Sequence, residues 1–250
     1  MQAKRVKIAS LIVTYNRIEE AKAQMDIIRE LWQPMFEGVD IYHEFNGEKK
    51  WYPKKYKEDF FHIHKKMPHF IGANHMINQG MKRILESGKK YDYIIATSAD
   101  VWFYDPKKLK KIILTIARKK HQLATSIWGL MALGTEFLLI TPDLAKKVFP
   151  IKFRQFIGTH KLFRWTNTKL AIFESIFTFK VMRVLKNPKK IYLIPGRRTV
   201  LLKNRFYSPN FYASHHDRSK RKRDLLPKIG PYSRWPCRFS FGGSNPDSVI

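Results

Sequence analysis

Cysteine is almost absent from this chain: Cys237 is the one such residue in 250. A single thiol excludes an internal disulfide, and no Cys/His cluster stands at zinc-ligand spacing, so the sequence predicts a reducing compartment and no structural zinc. Long apolar runs are missing as well. The stretch over residues 8–13 is six residues long and passes straight into Tyr15, Asn16 and Arg17, too short for the core of a signal sequence. Lys146, Glu174 and Lys180 interrupt the longest later candidates, so nothing approaches the roughly 18 apolar residues needed to span a bilayer. The expected location is the cytoplasm, the host's cytoplasm for a viral chain, with peripheral contact at an acidic inner membrane left open. Internal repeats and low-complexity linkers are lacking too, which argues against a solenoid and against independently folding pieces.

Acidic side chains are scarce. Against 48 Lys and Arg stand 20 Asp and Glu, a formal charge of +28. Self-repulsion of that size implies an anionic partner, whether nucleic acid, acidic membrane or phosphorylated substrate, unless it reflects a lysine-rich proteome. Lys22, Lys82 and Lys89 fit ordinary surface positions, but other cations are clustered: residues 107–111, residues 118–120, and a run from Arg218 that includes Arg221 and Arg223. In the densest cluster Lys49, Lys50, Lys54 and Lys55 are interleaved with Trp51 and Tyr52. Cations beside aromatic rings can neutralise phosphates while stacking on bases, and the same pattern suits a lipid headgroup boundary.

With 44% hydrophobic and 14% aromatic content the chain can bury a full core. Residues 6–14 read as a strand, and Ile18, Ala21, Met25, Ile28 and Trp32 then fall at helical spacing. Strands are predicted at 39–45, 60–64, 91–97, 123–128, 136–140 and 190–194. Met76, Ile77, Met81, Ile84 and Leu85 form one helix face, and Asp105-Pro106 opens another helix with a cap and a first-turn proline. Pro142 starts a short helix, residues 170–185 make a longer one, and 129–134 read as a loop of small residues. The prediction is an α/β protein, a mostly parallel doubly wound sheet with helices on both faces and a loop-rich basic C-terminal tail. Residues 1–120 form its first half, 121–200 the second half of the same domain, and 201–250 the tail.

The strand over 91–97 is apolar and ends in Ser98 and Asp100, at the carboxyl edge where open α/β sheets bind ligands. His62 and His64 share a strand face but have no acid or cysteine near them in sequence, and read as surface residues. Asp92 precedes its strand and reads as structural.

In order along the chain, these landmarks resemble the GT-A-fold nucleotide-sugar glycosyltransferases. The opening strand ends in Thr14-Tyr15-Asn16-Arg17, like that family's strand beside the nucleotide; Gly72, Asn78 and Gly80 match its Gly-x5-Asn-x-Gly helix; Ser98-Ala99-Asp100 stands at its Asp-x-Asp. Phe173-Glu174-Ser175 resembles its later acidic motif, residues 190–195 the strand after that, and His215-His216 with Ser219 its late His before a Ser. The resemblance spans about residues 6–220. It implies a GT-A-like fold and transfer of a sugar from a nucleotide-diphosphate donor, with Thr14, Tyr15, Arg17, Asn78, Ser98, Asp100, Arg197 and Arg198 around the donor.

Such a transfer develops negative charge on the leaving phosphate while the acceptor hydroxyl loses a proton, so the site needs a counter-charge and a base. Mn²⁺ or Mg²⁺ binds through one or two carboxylates plus substrate phosphates, and Asp100 with His215 or His216 would supply such a shell. Ser98 departs from the family motif by removing one acid, so Arg197, Arg198 or Arg218 stands as the alternative counter-charge. Glu174 lies in an apolar run, where partial burial raises a carboxyl pKa into the range of a general base. Its alternative is a structural pairing with Lys169 or Lys180. Glu136 competes as base but is placed beside the acceptor with Trp128. The acceptor is expected to be a polyanion, DNA slightly favoured over a lipid-linked or surface glycan. A non-catalytic nucleic-acid-binding protein on the same scaffold is the remaining alternative, and it would survive replacement of Asp100 or Glu174.

Overall fold

The structure, a computed structural model, describes residues 6–15, 17–67, 69–128, 132–152, 171–194 and 212–213. In chain order the described elements are β1 (Lys7–Thr14), α1 (Ile18–Ile27), β2 (Gly38–Asn46), β3 (Phe60–His64), α2 (His69–Glu86), β4 (Tyr93–Ser98), β5 (Trp102–Phe103), α3 (Pro106–Lys119), β6 (Leu123–Trp128), β7 (Ala132–Ile140), α4 (Pro142–Val148), α5 (Ala171–Leu185), β8 (Ile191–Leu193) and β9 (Tyr212–Ala213). A single π-helical turn over Ile28–Trp32 extends α1.

Seven strands form one sheet in the order β3-β2-β1-β4-β7-β6-β8, and β5 pairs separately with β9. β3, β2, β1 and β4 run parallel; β7 is antiparallel to both β4 and β6, and β8 is parallel to β6. The expected mostly parallel sheet is therefore present, with β7 the reversed strand. The two predicted halves share this sheet, since β6, β7 and β8 extend it beyond β4.

β1 and β4 are apolar almost throughout because both faces of the sheet are covered. On one side Ile8 and Ile12 of β1 and Ile95 of β4 meet Met25 of α1 and Leu109, Ile112 and Ile116 of α3. On the other, Ala9 and Leu11 of β1 meet Met76 and Met81 of α2, Leu144 of α4 and Phe177 of α5. The α3 start behaves as its sequence predicts: Asp105 accepts a hydrogen bond from the Lys108 backbone N–H, 2.9 Å, ahead of Pro106.

One expectation needs correction. Ala132, Leu133 and Gly134 belong to β7 rather than to a loop. A Cβ on Gly134 would fall 2.5 Å from Ser126 Oγ, so small side chains there serve close strand packing, and β7 bulges where the register passes from Thr125↔Leu138 to Ile127↔Leu133. In the tail the described residues are Tyr212 and Ala213, which form a short strand against Phe103 and Trp102.

α2 lies close on β1 because Gly80 faces Leu11. A Cβ at Gly80 would sit 2.3 Å from Leu11 Cδ1, inside a filled core. Gly80→Ala is therefore expected to destabilise the chain by about 1–3 kcal/mol through overpacking, read as a lower urea midpoint at unchanged slope. An unshifted midpoint would mean that the helix and strand are not in this contact.

Candidate functional site

The parallel register brings three strand ends level. Thr14 stands opposite Phe45 of β2, and Val13 opposite Ser98 of β4, so the carboxyl ends of β1, β2 and β4 form one edge. β7 joins it from the reverse direction, with Phe137 opposite Thr97 and Thr135 two residues farther along.

The turn after β4 is fixed on several sides. The Ala99 N–H bonds Val13 O at 3.0 Å and the Val101 N–H bonds Ser98 O at 3.0 Å. Gln24 of α1 donates to Thr97 Oγ1 at 2.5 Å and to Val101 O at 3.0 Å. Trp102 Nε1 donates to Glu20 O and Ala99 O, and Trp32 Nε1 to Phe103 O. These bonds hold Asp100 at the edge, where its buried carboxylate pairs with Arg17 Nη1 at the entry to α1. The Arg17 side chain is 46% exposed, so its guanidinium meets both Asp100 and solvent. Burial lowers the Arg17 pKa, against a raising influence from Glu20.

Glu174, in the first turn of α5, reaches the edge from the opposite face of the sheet. Thr135 donates to its Oε1 at 2.9 Å, while Oε2 is buried with no hydrogen-bond partner among the described residues. Burial raises the Glu174 pKa above that of an ordinary carboxylate, overcoming the opposing bonds from its own backbone and from Thr135. The expected structural partner Lys180 is engaged elsewhere, donating to Val148 O and Pro150 O. Lys169 lies outside the described residues. Glu136, next to Phe137 on β7, is buried at the same edge.

The structure gives several of the expected donor residues protein partners. The Thr14 side chain is 1% exposed and shares a 3.0 Å hydrogen bond with His43 Nε2. His43 Nδ1 in turn lies 3.7 Å from Glu58 Oε1, so Thr14 belongs to a buried hydroxyl–imidazole–carboxylate chain beneath the edge. Asn78 clamps the backbone of Ile151, accepting from its N–H at 2.8 Å and donating to its carbonyl at 3.0 Å. The amide is thereby committed to structure. Gly72 has a similar duty: a Cβ there would fall 2.0 Å from Asn46 Nδ2, which with Asn46 Oδ1 holds the backbone of Met67.

The basic segment after β2 divides in two. Lys49, Lys50, Lys54 and Lys55 are exposed, with Lys50 bonded to Glu48 and Lys55 to the Asp59 carbonyl. Tyr52, expected to stack on an acceptor, is instead buried against Phe45, His43 and Phe61, its hydroxyl directed at Glu58. Trp51 is half-buried with the Lys66 ammonium 5.5 Å above its ring. Of the two histidines expected at the surface, His62 is exposed and His64 is not. His64 is buried and bonded to Glu44 of the neighbouring strand, an acid that sequence distance hid. Arg83 of α2 holds the other Glu44 oxygen at 2.9 Å. Asp92, as expected, is structural, accepting from the Lys7 N–H.

Arg197, Arg198, His215, His216, Arg221 and Arg223 lie outside the described residues, as does the Trp128 side chain. Ala213 pairs with Trp102, two positions after Asp100, and His215 follows two positions after Ala213 in the sequence. Among the described residues no group of three His, Cys, Asp or Glu side chains is placed to hold a metal ion. Asp100 stands there as a single carboxylate neutralised by Arg17, so the described residues do not by themselves fit a divalent cation, and no chemical step is derived through one. No described helix is long and apolar enough to cross a membrane.

Sequence reasoning missed Gln24, Trp32 and Trp102, which fix the Asp100 turn, and Thr135, which orients Glu174. A polar Gln24 on the apolar face of α1 was the one visible signal.

No family model matches this chain, and no curated protein matches it. Solved structures do resemble it. A mannosyltransferase from Pyrobaculum calidifontis, in complex with GDP-Man and Mn²⁺, is 10% identical over 60% of this chain and 48% of its own, with a TM-score of 0.44. TarS of S. aureus is 10% identical over 70% of this chain and 33% of its own, at 0.45. The glycosyltransferase GlyE of Streptococcus pneumoniae TIGR4 is 15% identical over 76% of this chain and 46% of its own, at 0.39. This chain spans about half or less of the length of each.

Proposed function

We propose that the chain transfers a sugar from a nucleotide-diphosphate donor to an acceptor hydroxyl at the carboxyl edge of its sheet. The observation that carries this reading is that one sheet edge carries two carboxyl groups in unlike surroundings: Asp100 beside the Arg17 guanidinium, and Glu174 desolvated by burial, bonded at Oε1 to Thr135 and with Oε2 unpartnered among the described residues.

In this mechanism Glu174 Oε2 takes the acceptor proton as the acceptor oxygen bonds to the anomeric carbon and the bond from that carbon to the phosphate oxygen breaks. The electron pair leaves with the nucleoside diphosphate, and the developing charge meets the solvent-facing side of Arg17, held in place by Asp100. Ser98, at the end of β4, and Tyr15 line the donor side. Arg197, Arg198, His215 and His216 lie outside the described residues and are given no position in this mechanism.

The acceptor is anionic in this reading, and the exposed Lys49, Lys50, Lys54 and Lys55 support it. A DNA acceptor engaging about six phosphates would bind on the order of a thousandfold more weakly at moderate than at low salt. An uncharged glycan would show no such slope.

A thermal-shift panel of nucleoside diphosphates and their sugars, with and without Mn²⁺, tests the donor. The matching nucleotide at a hundredfold excess over its dissociation constant stabilises the fold by about 2.7 kcal/mol. No response to any nucleotide, with or without metal, contradicts the proposal.

A further inference from the structure

The outer face of α3 has no role in the chemistry above. Its buried face is formed by Leu109, Ile112, Ile113 and Ile116. Directly opposite, at spacings of three, one, three and four, stand Lys107, Lys110, Lys111, Leu114 and Arg118, a straight stripe about 16 Å long at the helical rise. The helix contains no acidic residue. Among the described residues none of the side chains of Lys107, Lys110, Lys111 or Arg118 has an ion-pair or hydrogen-bonding partner. Lys107, Lys111 and Arg118 are exposed, Lys110 is half-buried, and Leu114 in the middle of the stripe is 40% exposed. Lys119 and Lys120 extend the charge at the C-terminal end, where cations also complement the helix dipole.

We infer that this stripe docks the protein on an anionic lipid surface. Charge complementarity to acidic headgroups is one part of the argument. The other is Leu114, an exposed aliphatic side chain ringed by cations, which gains by entering the headgroup boundary and gains nothing on a phosphodiester backbone. The stripe carries no aromatic ring for base stacking, unlike surfaces that track single-stranded nucleic acid. Its position is consistent with use. α3 begins shortly after the Asp100 turn, so its Lys107 end lies at the same end of the sheet as the carboxyl edge, and docking along α3 sets that edge beside the bilayer.

The inference concerns binding and stands whether or not sugar transfer is the reaction. Its test is co-sedimentation of the full chain with vesicles of phosphatidylcholine containing about one-third phosphatidylserine, and with phosphatidylcholine alone. The wild type is expected to partition onto the acidic vesicles and not the neutral ones. The charge-reversed variant Lys107→Glu, Lys110→Glu, Lys111→Glu, Arg118→Glu should lose affinity by on the order of a thousandfold, at about fivefold per cation removed with repulsion added. The corresponding four-glutamine variant keeps the test valid if reversal disturbs folding, and it should lose affinity by several hundredfold, at about fivefold per cation. Leu114→Ser should weaken binding severalfold without changing its salt dependence. Equal binding to neutral vesicles, or unchanged binding by the folded glutamine variant, overturns the inference. So does duplex DNA that binds more tightly than the vesicles through these same four residues, which would assign the stripe to nucleic acid.

Discussion

Replacing Glu174 by Gln is expected to cut turnover by roughly 10²–10⁴-fold while leaving donor affinity and folding intact, the range for losing a positioned general base. Glutamine preserves the side-chain volume and can still accept from Thr135 Oγ1, so the geometry around β7 survives. The acceptor proton then has no destination. The pH dependence follows from the same burial. Glu174 must be ionised to act, and its pKa is raised above 4.5, so the acid limb of the rate profile should have its midpoint above that value. Stability moves the opposite way. A carboxyl whose folded pKa exceeds its unfolded one contributes stability that is fully present below about 4.5 and is lost as pH rises through the folded pKa. Glu174→Gln should abolish that loss and denature at an equal or higher urea midpoint near neutral pH. A variant with wild-type turnover would remove Glu174 from the chemistry.

Arg17→Ala is expected to lower turnover by about 10²–10³-fold, the usual effect of deleting one preorganised charge aimed at a developing anion. It should also weaken donor binding, because the guanidinium faces the edge from its solvent side. The stability cost is smaller. Asp100 is buried but Arg17 is half exposed, so water screens the pair, and the loss should fall near 1–2 kcal/mol, between exposed and buried pairs. Arg17→Lys retains charge without the planar fork and should recover stability better than turnover. Asp100→Asn, combined with Arg17→Ala in a double-mutant cycle, should show coupling of at least about 0.5 kcal/mol in urea denaturation. Additive effects would mean that the pair does not form.

Much of the fold was legible because burial on both sheet faces forces long apolar strands, and amphipathic helices such as α3 announce their buried side at three-four spacing. The level strand ends, and hence the edge with Asp100, follow from that pattern. Side-chain employment was not legible. Thr14 and Asn78 carry polar groups suited to a ligand, yet the fold spends them on His43 and Ile151, partners 29 and 73 residues away in sequence. Tyr52 sits between lysines and looks exposed, but its ring completes a cluster contributed by β2 and β3. His64 lacked a local acid because Glu44 comes from the adjacent strand. In each case the deciding neighbour was remote in sequence, brought close by strand pairing or by the packing of helix and loop.

The central claim is spatial: a donor seats across the ends of β1, β4 and β7, between side chains arriving from both faces of the sheet. Backbone amide shift mapping of the isotopically labelled chain during titration with the nucleotide sugar tests this most directly. Saturable shifts concentrated at Tyr15 and Arg17, at Ser98 through Val101, and at Thr135 and Glu174 are the predicted result. Shifts confined to another surface, such as the outer face of α3, or no shifts with any nucleotide sugar, would contradict it.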